Sequence, residues 1–535
     1  MKKTFVLFCI TAFLFGLASC GEESTKGNRF EGDKMVISVT GWEVGQSFGS
    51  KPDELYQYIQ DRFGVVFEPH EVGWDNSDQM ALLWAQAGTL PDVIGGMDFI
   101  NTATFKDWIE AGIIRTLPDD LSAYPTLNAL INQPYVQGRA VDGEIYFIPR
   151  ISMLKPEWDV TVRGIINRRD WREKLGIPVP RTEEDFLNMW RAFVNPANNI
   201  NGTGAPVFGV LPDPLVASVS DRYFAGHGDT GSGWIMQPDG SMVKPALEPT
   251  SLPLMSYLRG AYKEGLMDPD FLTDSSRSRD GAMQKFAQGN VGTLLRQIAP
   301  VHLNLLYTQW VVWNPDVDFE NAVEILMPPM LPGVTPIFSM GNGFWSETYI
   351  NANVDDEKLE KILQIYEWLN SEEGINMIMF GFEGKDWELR GGEITMLTSI
   401  DPTTGLNLRA RDLYQFAAGG MRNLAVWAED LVQWTDPGIP FGVREMSIEA
   451  RDRMLGPGMG LSQQDPRIQP IVLEVPEASR MTLRVGDEWN AFISDTSNIS
   501  NEELLAQFQA RWKAAGYDEA KAALTREVAA RGLTY

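Results

Sequence analysis

The residue types that usually break bonds are scarce or poorly spaced in this chain. It has three histidines, and His70-Glu71 is followed by Trp74 where a zinc-binding helix needs its second histidine. The sequence has no phosphate loop of the form Gly-x-x-x-x-Gly-Lys-Ser. Its 72 Asp and Glu residues make a carboxylate pair across a cleft unavoidable by chance. These patterns favour binding over catalysis and leave a hydrolase with two acidic groups as the alternative.

Cys20 is a candidate site for covalent modification. Lys2 and Lys3 precede an almost wholly apolar run from Phe5 to Leu17, which Ala18-Ser19-Cys20 closes. This layout is typical of a secretory signal peptide, and the run is shorter than the ~20 residues of a membrane span. Its end resembles the bacterial lipobox, which implies that Cys20 receives a diacylglyceryl group after removal of residues 1–19. We therefore expect an exported protein, anchored to the cell membrane by lipid and facing the periplasm or exterior, with residues 20–33 as a flexible tether.

The composition limits the partners. The 535 residues are 44% hydrophobic and 11% aromatic, which is typical of a globular protein with more than one domain. The formal net charge of −27 argues against nucleic acid, which is bound by excess Lys and Arg. The other cysteine, Cys9, lies in the leader, so the mature chain depends on its core rather than on disulfides.

The first hundred mature residues alternate between strand and helix patterns. The predicted strands are 35–39, 65–67 and 92–94, and the predicted helices are 55–63 and 76–87. Such alternation builds a parallel sheet covered by helices, and ligands bind outside the carboxyl ends of its strands. Those ends lie at residues 41–43, 71–75 and 95–98.

Several segments, in their order along the chain, resemble a known family. They are Ala87-Gly88-Thr89-Leu90-Pro91-Asp92-Val93-Ile94, Trp108-Ile109-Glu110-Ala111-Gly112-Ile113-Ile114, Asp142-Gly143-Glu144-Ile145-Tyr146-Phe147-Ile148-Pro149-Arg150, Asn167-Arg168-Arg169-Asp170-Trp171, Leu175-Gly176-Ile177-Pro178, Tyr262-Lys263-Glu264-Gly265-Leu266, Ser371-Glu372-Glu373-Gly374 and Gly381-Phe382-Glu383-Gly384-Lys385. Together they resemble family 1 extracellular solute-binding proteins, the carbohydrate receptors of ATP-binding-cassette (ABC) importers, in particular the larger oligosaccharide-binding members.

The resemblance implies an α/β fold of two lobes, the type II periplasmic-binding-protein-like fold. Each lobe would be a mixed, mostly parallel sheet flanked by helices, joined by hinge crossovers near Pro149–Leu154 and Glu324–Pro332. The expected segments are 34–150 for lobe 1, 151–326 for lobe 2, 327–400 for the return to lobe 1, and 401–535 for the completion of lobe 2 and the lining of the cleft.

Aromatic and polar residues near strand ends and in the later loops are the candidate ligand contacts. Planar aromatic faces suit the apolar side of a sugar ring, and carboxylates or arginines suit its hydroxyls. The candidates are Trp42, Glu43, Asp98, Arg150, Arg296, Trp345, Trp427 and Trp434. For the arginines, hydroxyls, a uronate carboxylate and a purely structural ion pair all stay open.

We expect neither a metal nor another cofactor. Some large relatives carry a carboxylate-rich calcium loop after a helix like 183–193. The corresponding stretch here, Asn195 to Gly204, offers amides instead of the anionic oxygens that calcium prefers.

The expected function is therefore that of a monomeric, non-enzymatic receptor. It would bind a carbohydrate, in particular an oligosaccharide, between the lobes and deliver it to the permease subunits of an ABC importer. The alternatives are an exported carbohydrate-active hydrolase and a surface lipoprotein that captures glycans for a different transporter.

Overall fold

The computed structural model describes residues 28–535 apart from 43, 45–51, 75, 213–223, 229–230, 232, 273–278, 342, 403–404, 464 and 482. The signal peptide, Cys20 and Glu43 lie outside the described residues. The strands are β1 (Phe30–Glu31), β2 (Lys34–Trp42), β3 (Val65–Val72), β4 (Val93–Met97), β5 (Ile148–Ile151), β6 (Gly164–Arg168), β7 (Phe208–Pro212), β8 (Ile235–Met236), β9 (Met242–Val243), β10 (Val291–Arg296), β11 (Val323–Leu326), β12 (Ile337–Met340), β13 (Phe344–Ile350), β14 (Trp387–Arg390), β15 (Glu393–Met396) and β16 (Gly460–Gln463).

The helices of the first half are Glu54–Phe63, Ser77–Ala87, Ala103–Glu110, Pro125–Ile131, Pro134–Gln137, Arg169–Lys174, Glu183–Val194 and Leu252–Lys263. Those of the second half are Arg279–Ala287, Pro300–Trp313, Phe319–Ala322, Asp356–Asn370, Glu372–Phe380, Ala410–Leu413, Ala417–Met421, Ala428–Val432, Phe441–Met454, Ile468–Glu474, Pro476–Ser479, Val485–Ile493, Asn501–Ala514 and Tyr517–Ala530. The three predicted strands and two predicted helices of the first hundred mature residues are all present.

The first sheet has six strands. β2 pairs in parallel with β3 on one side and with β4 on the other, and β13 inserts antiparallel between β4 and β5. β2 is a nearly continuous apolar run and is buried along most of its length, as expected for a strand covered on both faces. Because β13 runs against its neighbours, its first residues lie at the edge where β2 and β4 end.

A second sheet has the order β11-β6-β10-β7, and a separate hydrophobic core surrounds it. The chain leaves the first sheet after Ile151, enters the second at Gly164, and returns between Leu326 and Phe344. The molecule is therefore a two-lobed, mixed α/β protein with the type II binding-protein fold. We call the part around the first sheet lobe 1 and the part around the second lobe 2.

The boundary expected at residue 401 falls too early. Ala410 to Ala425 still pack in the core of lobe 1, and the chain joins the core of lobe 2 at Ile439. The short helices Ala410–Leu413 and Ala417–Met421 carry few apolar residues each, so their weak periodicity gave no sign of the lobe that they cover. A third passage between the lobes thus lies between residues 425 and 439.

Candidate ligand-binding cleft

Four tryptophans from distant parts of the chain form one aromatic cluster on lobe 1. The ring centroids of Trp42 lie 4.6 Å from Trp74, 5.1 Å from Trp345 and 6.0 Å from Trp427, with interplanar angles of 12° to 28°. Trp345 and Trp427 are 5.1 Å apart. We call these four residues the tryptophan platform.

The backbone explains why the four rings meet. Trp42 is the last residue of β2, Trp74 follows β3, and Trp345 is near the start of the antiparallel β13. All three therefore lie at the same edge of the sheet. Trp427 lies on the third passage between the lobes, and its backbone N–H donates to the carbonyl of Ile151 at the first passage. The platform thus lies on the side of lobe 1 from which the chain crosses to lobe 2.

Hydrogen bonds fix the orientation of the inner rings. The indole Nε1 of Trp42 donates to Ser77 Oγ at 3.0 Å, and that of Trp427 donates to the carbonyl of Trp345 at 2.9 Å. Trp42 and Trp427 are 5% and 9% exposed, whereas Trp74 and Trp345 are each 44% exposed. Large exposed aromatic rings held on a rigid base are a feature of binding surfaces rather than of cores.

Arg150 supports the platform from inside the protein. It is fully buried, and its guanidinium carbon lies 4.3 Å from the ring centroid of Trp427 and 5.6 Å from that of Trp42. Nη1 donates to Ser346 Oγ at 2.8 Å, and Nη2 donates to the carbonyl of Asn423. Our prediction that Arg150 faces a ligand is wrong for this conformation, because β5 points the side chain under the rings.

Asp98 lies beside the platform, just after β4. Its side chain is exposed, yet the surrounding protein removes enough water to raise the pKa of this carboxyl to about 6. The negative charge of Asp78 raises the pKa further, and Arg139 opposes the shift.

Glu347 holds the loop that carries Asp98. It is fully buried, and its Oε1 accepts from the backbone N–H groups of Phe99 and Ile100 and from the hydroxyl of Tyr349, at 2.6, 3.0 and 2.6 Å. Burial, reinforced by the charge of Asp98, raises the pKa of Glu347 to about 8. A carboxyl with this pKa is mostly protonated at neutral pH.

Two other predicted contacts lie elsewhere. Trp434 packs against Trp158, with centroids 4.8 Å apart, and Arg451 lies over both rings at 4.8 and 4.4 Å. This second aromatic group lies where the first and third passages meet lobe 2. Arg296, at the end of β10, is 2% exposed and therefore packs inside lobe 2 rather than facing solvent.

Trp74, Asp78 and Glu347 were missed as candidates. Trp74 follows a predicted strand end, in the same way as Trp42, so that signal was available. Asp78 lies on the next helix, and Glu347 lies inside a strand, where a carboxylate gives no pattern of its own.

The loop from Asn195 to Gly204 binds its own backbone. The side-chain oxygens of Asn195, Asn199 and Asn201 accept from the N–H groups of Ala197, Gly204 and Thr203 at 3.0, 2.8 and 3.1 Å. Elsewhere too, within the residues that the structure describes, no three His, Cys, Asp or Glu side chains converge to hold a metal ion. No helix in the described part of the chain is both long and apolar enough to cross a bilayer.

Comparison of sequences finds a lipoprotein and two glycan-binding proteins among the relatives of this chain. The chain is 22% identical to Lipoprotein LipO of Bacillus subtilis over 409 residues, which cover 74% of this chain and 76% of LipO. It is 21% identical to the polygalacturonan/rhamnogalacturonan-binding protein YtcQ of the same species, over 59% of this chain and 63% of YtcQ. It is 25% identical to the fructooligosaccharide ABC transporter substrate-binding protein FusA of Streptococcus pneumoniae, over 49% of this chain and 52% of FusA. No family model matches the chain.

Comparison of structures extends the match to almost the whole chain. An S. pneumoniae FusA complex superimposes with a TM-score of 0.66 at 16% identity, covering 93% of this chain and 99% of FusA. The alginate-binding protein AlgQ2, in its calcium-free structure, superimposes with a TM-score of 0.64 at 16% identity, covering 92% of this chain and 97% of AlgQ2. The chain therefore has the two-lobed fold of these solute-binding proteins, and its sequence is similar to that of ABC-transporter substrate-binding proteins such as FusA.

Proposed function

We propose that this protein is the substrate-binding lipoprotein of an ABC importer and binds an oligosaccharide on the tryptophan platform, between its two lobes. The platform carries the proposal. A pyranose or furanose ring has an apolar C–H face that aromatic rings remove from water, and hydroxyls at its rim that carboxylates such as Asp98 accept. The relatives YtcQ, a polygalacturonan/rhamnogalacturonan-binding protein, and FusA, a fructooligosaccharide substrate-binding protein, support the same ligand class.

The remaining parts of the proposal concern location and assembly. Cys20 would carry the lipid, the residues between it and β1 would tether the fold to the membrane, and the monomer would present the closed lobes to the permease. YtcQ and FusA are named as binding proteins, and we propose that this chain likewise binds its sugar without turnover.

A hydrolase is the second candidate. The sequence contains Gly45-Gln46-Ser47-Phe48-Gly49, a Gly-x-Ser-x-Gly pattern that follows β2 and lies outside the described residues. This short pattern is frequent, and only in a strand-turn-helix context with a histidine partner does it indicate a nucleophile. A Ser47→Ala variant therefore belongs in any assay for turnover.

The test is a thermal-shift screen of the purified chain against mono- and oligosaccharides, followed by chromatography of each sugar that stabilises it. We expect saturable stabilisation by an oligosaccharide that is recovered intact, because a ligand bound to the folded state alone raises the melting temperature. Turnover of a sugar by the wild type would support the hydrolase instead, with Ser47 as nucleophile if Ser47→Ala abolishes the turnover and with a carboxylate pair if it does not. Broad glycan binding without stabilisation would support the glycan-capture alternative.

A further inference from the structure

The two arginines predicted from the sequence to bind a ligand carboxylate, Arg150 and Arg296, are buried inside the protein. Arg150 is fully buried beneath Trp427 and donates to Ser346 and Asn423. Arg296 is 2% exposed. A uronate carboxylate is best bound by a bidentate guanidinium, and neither of these two presents its fork to solvent.

Two further arginines near the aromatic groups are engaged in the same way. Arg139, whose charge acts on Asp98, is 6% exposed and donates through Nη1 to Asn101 Oδ1 at 2.5 Å. Arg451 lies between Trp158 and Trp434 and pairs with Asp452 at 2.8 Å. These cations stabilise the walls of the cleft.

Two exposed carboxylates lie next to the platform in the part of the chain that the structure describes. Asp98 follows β4, and Asp78 lies next to Ser77, the residue that holds the indole of Trp42. Ser77 Oγ and Asp78 Oδ1 are 3.4 Å apart. The Asp78 carboxylate therefore lies beside the hydroxyl that accepts the indole hydrogen bond of Trp42. The two carboxylates also act on each other electrostatically.

We infer that the cleft selects an uncharged oligosaccharide and excludes oligomers of uronic acids. Asp78 and Asp98 accept hydrogen bonds from sugar hydroxyls, whereas a carboxylate on the ligand would meet two like charges in a site that is partly shielded from water. The fold alone does not decide this point, since the relatives and neighbours include proteins named for polygalacturonan, alginate and fructooligosaccharide binding. The inference rests on the proposed function and names the class of its ligand.

The test compares matched glycans by calorimetry at pH 7.5 and moderate salt. The probes are neutral oligosaccharides of four sugar units, oligogalacturonate of the same length, alginate oligomers, and the methyl ester of the oligogalacturonate, which keeps the backbone and removes the charge. The proteins are the wild type, the double variant Asp78→Asn/Asp98→Asn, and the control Asp239→Asn, an exposed carboxylate in the turn between β8 and β9.

We expect the wild type to bind a neutral oligosaccharide and to bind every uronate on the order of tenfold more weakly or not at all. The double variant should reduce the difference in affinity between the neutral oligosaccharide and the uronates, and Asp239→Asn should leave that difference unchanged. A uronate that binds the wild type as tightly as the best neutral sugar would overturn the inference while leaving the proposed function in place. If the double variant showed the same difference in affinity as the wild type, the proposed role of the two carboxylates would be overturned. Absence of binding by every glycan would overturn the proposed function, and this inference with it.

Discussion

At the scale of single residues, the most informative position is Trp345. Its ring is 44% exposed and belongs to the platform, and its carbonyl accepts from the indole of Trp427. The side chain therefore adds little to the core but offers a large apolar face to a ligand. We predict that Trp345→Ala lowers the affinity for the bound oligosaccharide about ten- to thirtyfold with little change in melting temperature.

Trp313 provides a matched control for this change. It ends the helix Pro300–Trp313 on lobe 2 and is 48% exposed. Trp313→Ala should leave the affinity unchanged in the same calorimetric titration. Equal losses for both variants would mean that the platform is not the binding surface.

Glu347 makes the stability of the fold depend on pH. Its pKa is near 4.5 in an unfolded chain and is raised to about 8 in the folded protein. The protonated form is thus favoured by folding, so the stabilisation is complete below pH 4.5 and is lost as the pH rises toward 8. We predict that the free energy of unfolding falls by on the order of 3 kcal/mol between pH 5 and 8.

Glu347→Gln tests this assignment, because glutamine resembles the neutral acid and still accepts from Phe99 and Ile100. Denaturant titrations at several pH values should show a flatter profile for this variant. Glu360→Gln, which changes an exposed carboxylate on the helix Asp356–Asn370, should keep the wild-type slope. A wild-type profile that rises from pH 5 to 8 would contradict the prediction.

At the scale of elements, the end of β4 determines where the platform sits. Gly96 has φ +71°, and a Cβ at this position would lie 3.1 Å from the ring of Trp42 and 3.2 Å from its backbone nitrogen. We predict that Gly96→Ala lowers the free energy of unfolding by roughly 1–3 kcal/mol and also weakens sugar binding, because the new methyl group displaces Trp42.

A substitution at Gly88 separates the cost of the backbone conformation from the effect of contact with Trp42. It ends the helix Ser77–Ala87 with φ +70°, and no atom lies within 4 Å of a Cβ at this position. Gly88→Ala should show the cost of the backbone conformation alone, with unchanged sugar affinity. If Gly96→Ala bound sugar like the wild type, the contact with Trp42 would not position the platform.

The strand ends of lobe 1 could be predicted from sequence because their signals are local. The apolar runs of β2, β3 and β4 and the glycines after the helices identify these three strands and the two helices between them, and the strand-end rule then selects Trp42 and Asp98. The meeting of Trp42 with Trp345 and Trp427 could not be predicted in this way. It depends on β13 entering the sheet some 300 residues later, which leaves no signal near either end.

Position along the chain did not predict how the side chains of Arg150 and Trp434 pack. Arg150 does lie at a strand end, but the alternation of side chains along β5 turns it into the protein, where Ser346 and Asn423 accept its hydrogen bonds. Trp434 follows Trp427 by seven residues, and within that distance the chain passes from one lobe to the other. Tertiary contacts decide where the side chain of an arginine or a tryptophan packs.

At the scale of the whole molecule, a few polar and apolar contacts join the two lobes. The side chain of Gln469, on a helix of lobe 2, donates to the carbonyl of Asn101 in lobe 1 at 3.1 Å. Pro466 lies against Gly138 nearby, where a Cβ would approach it to 3.1 Å. These residues come together only when the lobes are near each other.

We predict that Gln469→Ala weakens sugar binding about two- to tenfold, since one hydrogen bond between the lobes is lost and each lobe keeps its own core. Gln57→Ala is the control, because Gln57 donates to Asp61 within a single helix of lobe 1. Calorimetric affinities and melting temperatures of both variants test the prediction. Identical affinities would show that this contact does not contribute to closure.

The most direct test of the account is a calorimetric titration of the wild-type chain with the oligosaccharide that stabilises it most, followed by chromatography of the recovered sugar. We predict saturable binding of one sugar per chain, with the sugar returned at its original length. A shortened sugar, or a failure to saturate with any oligosaccharide, would contradict it.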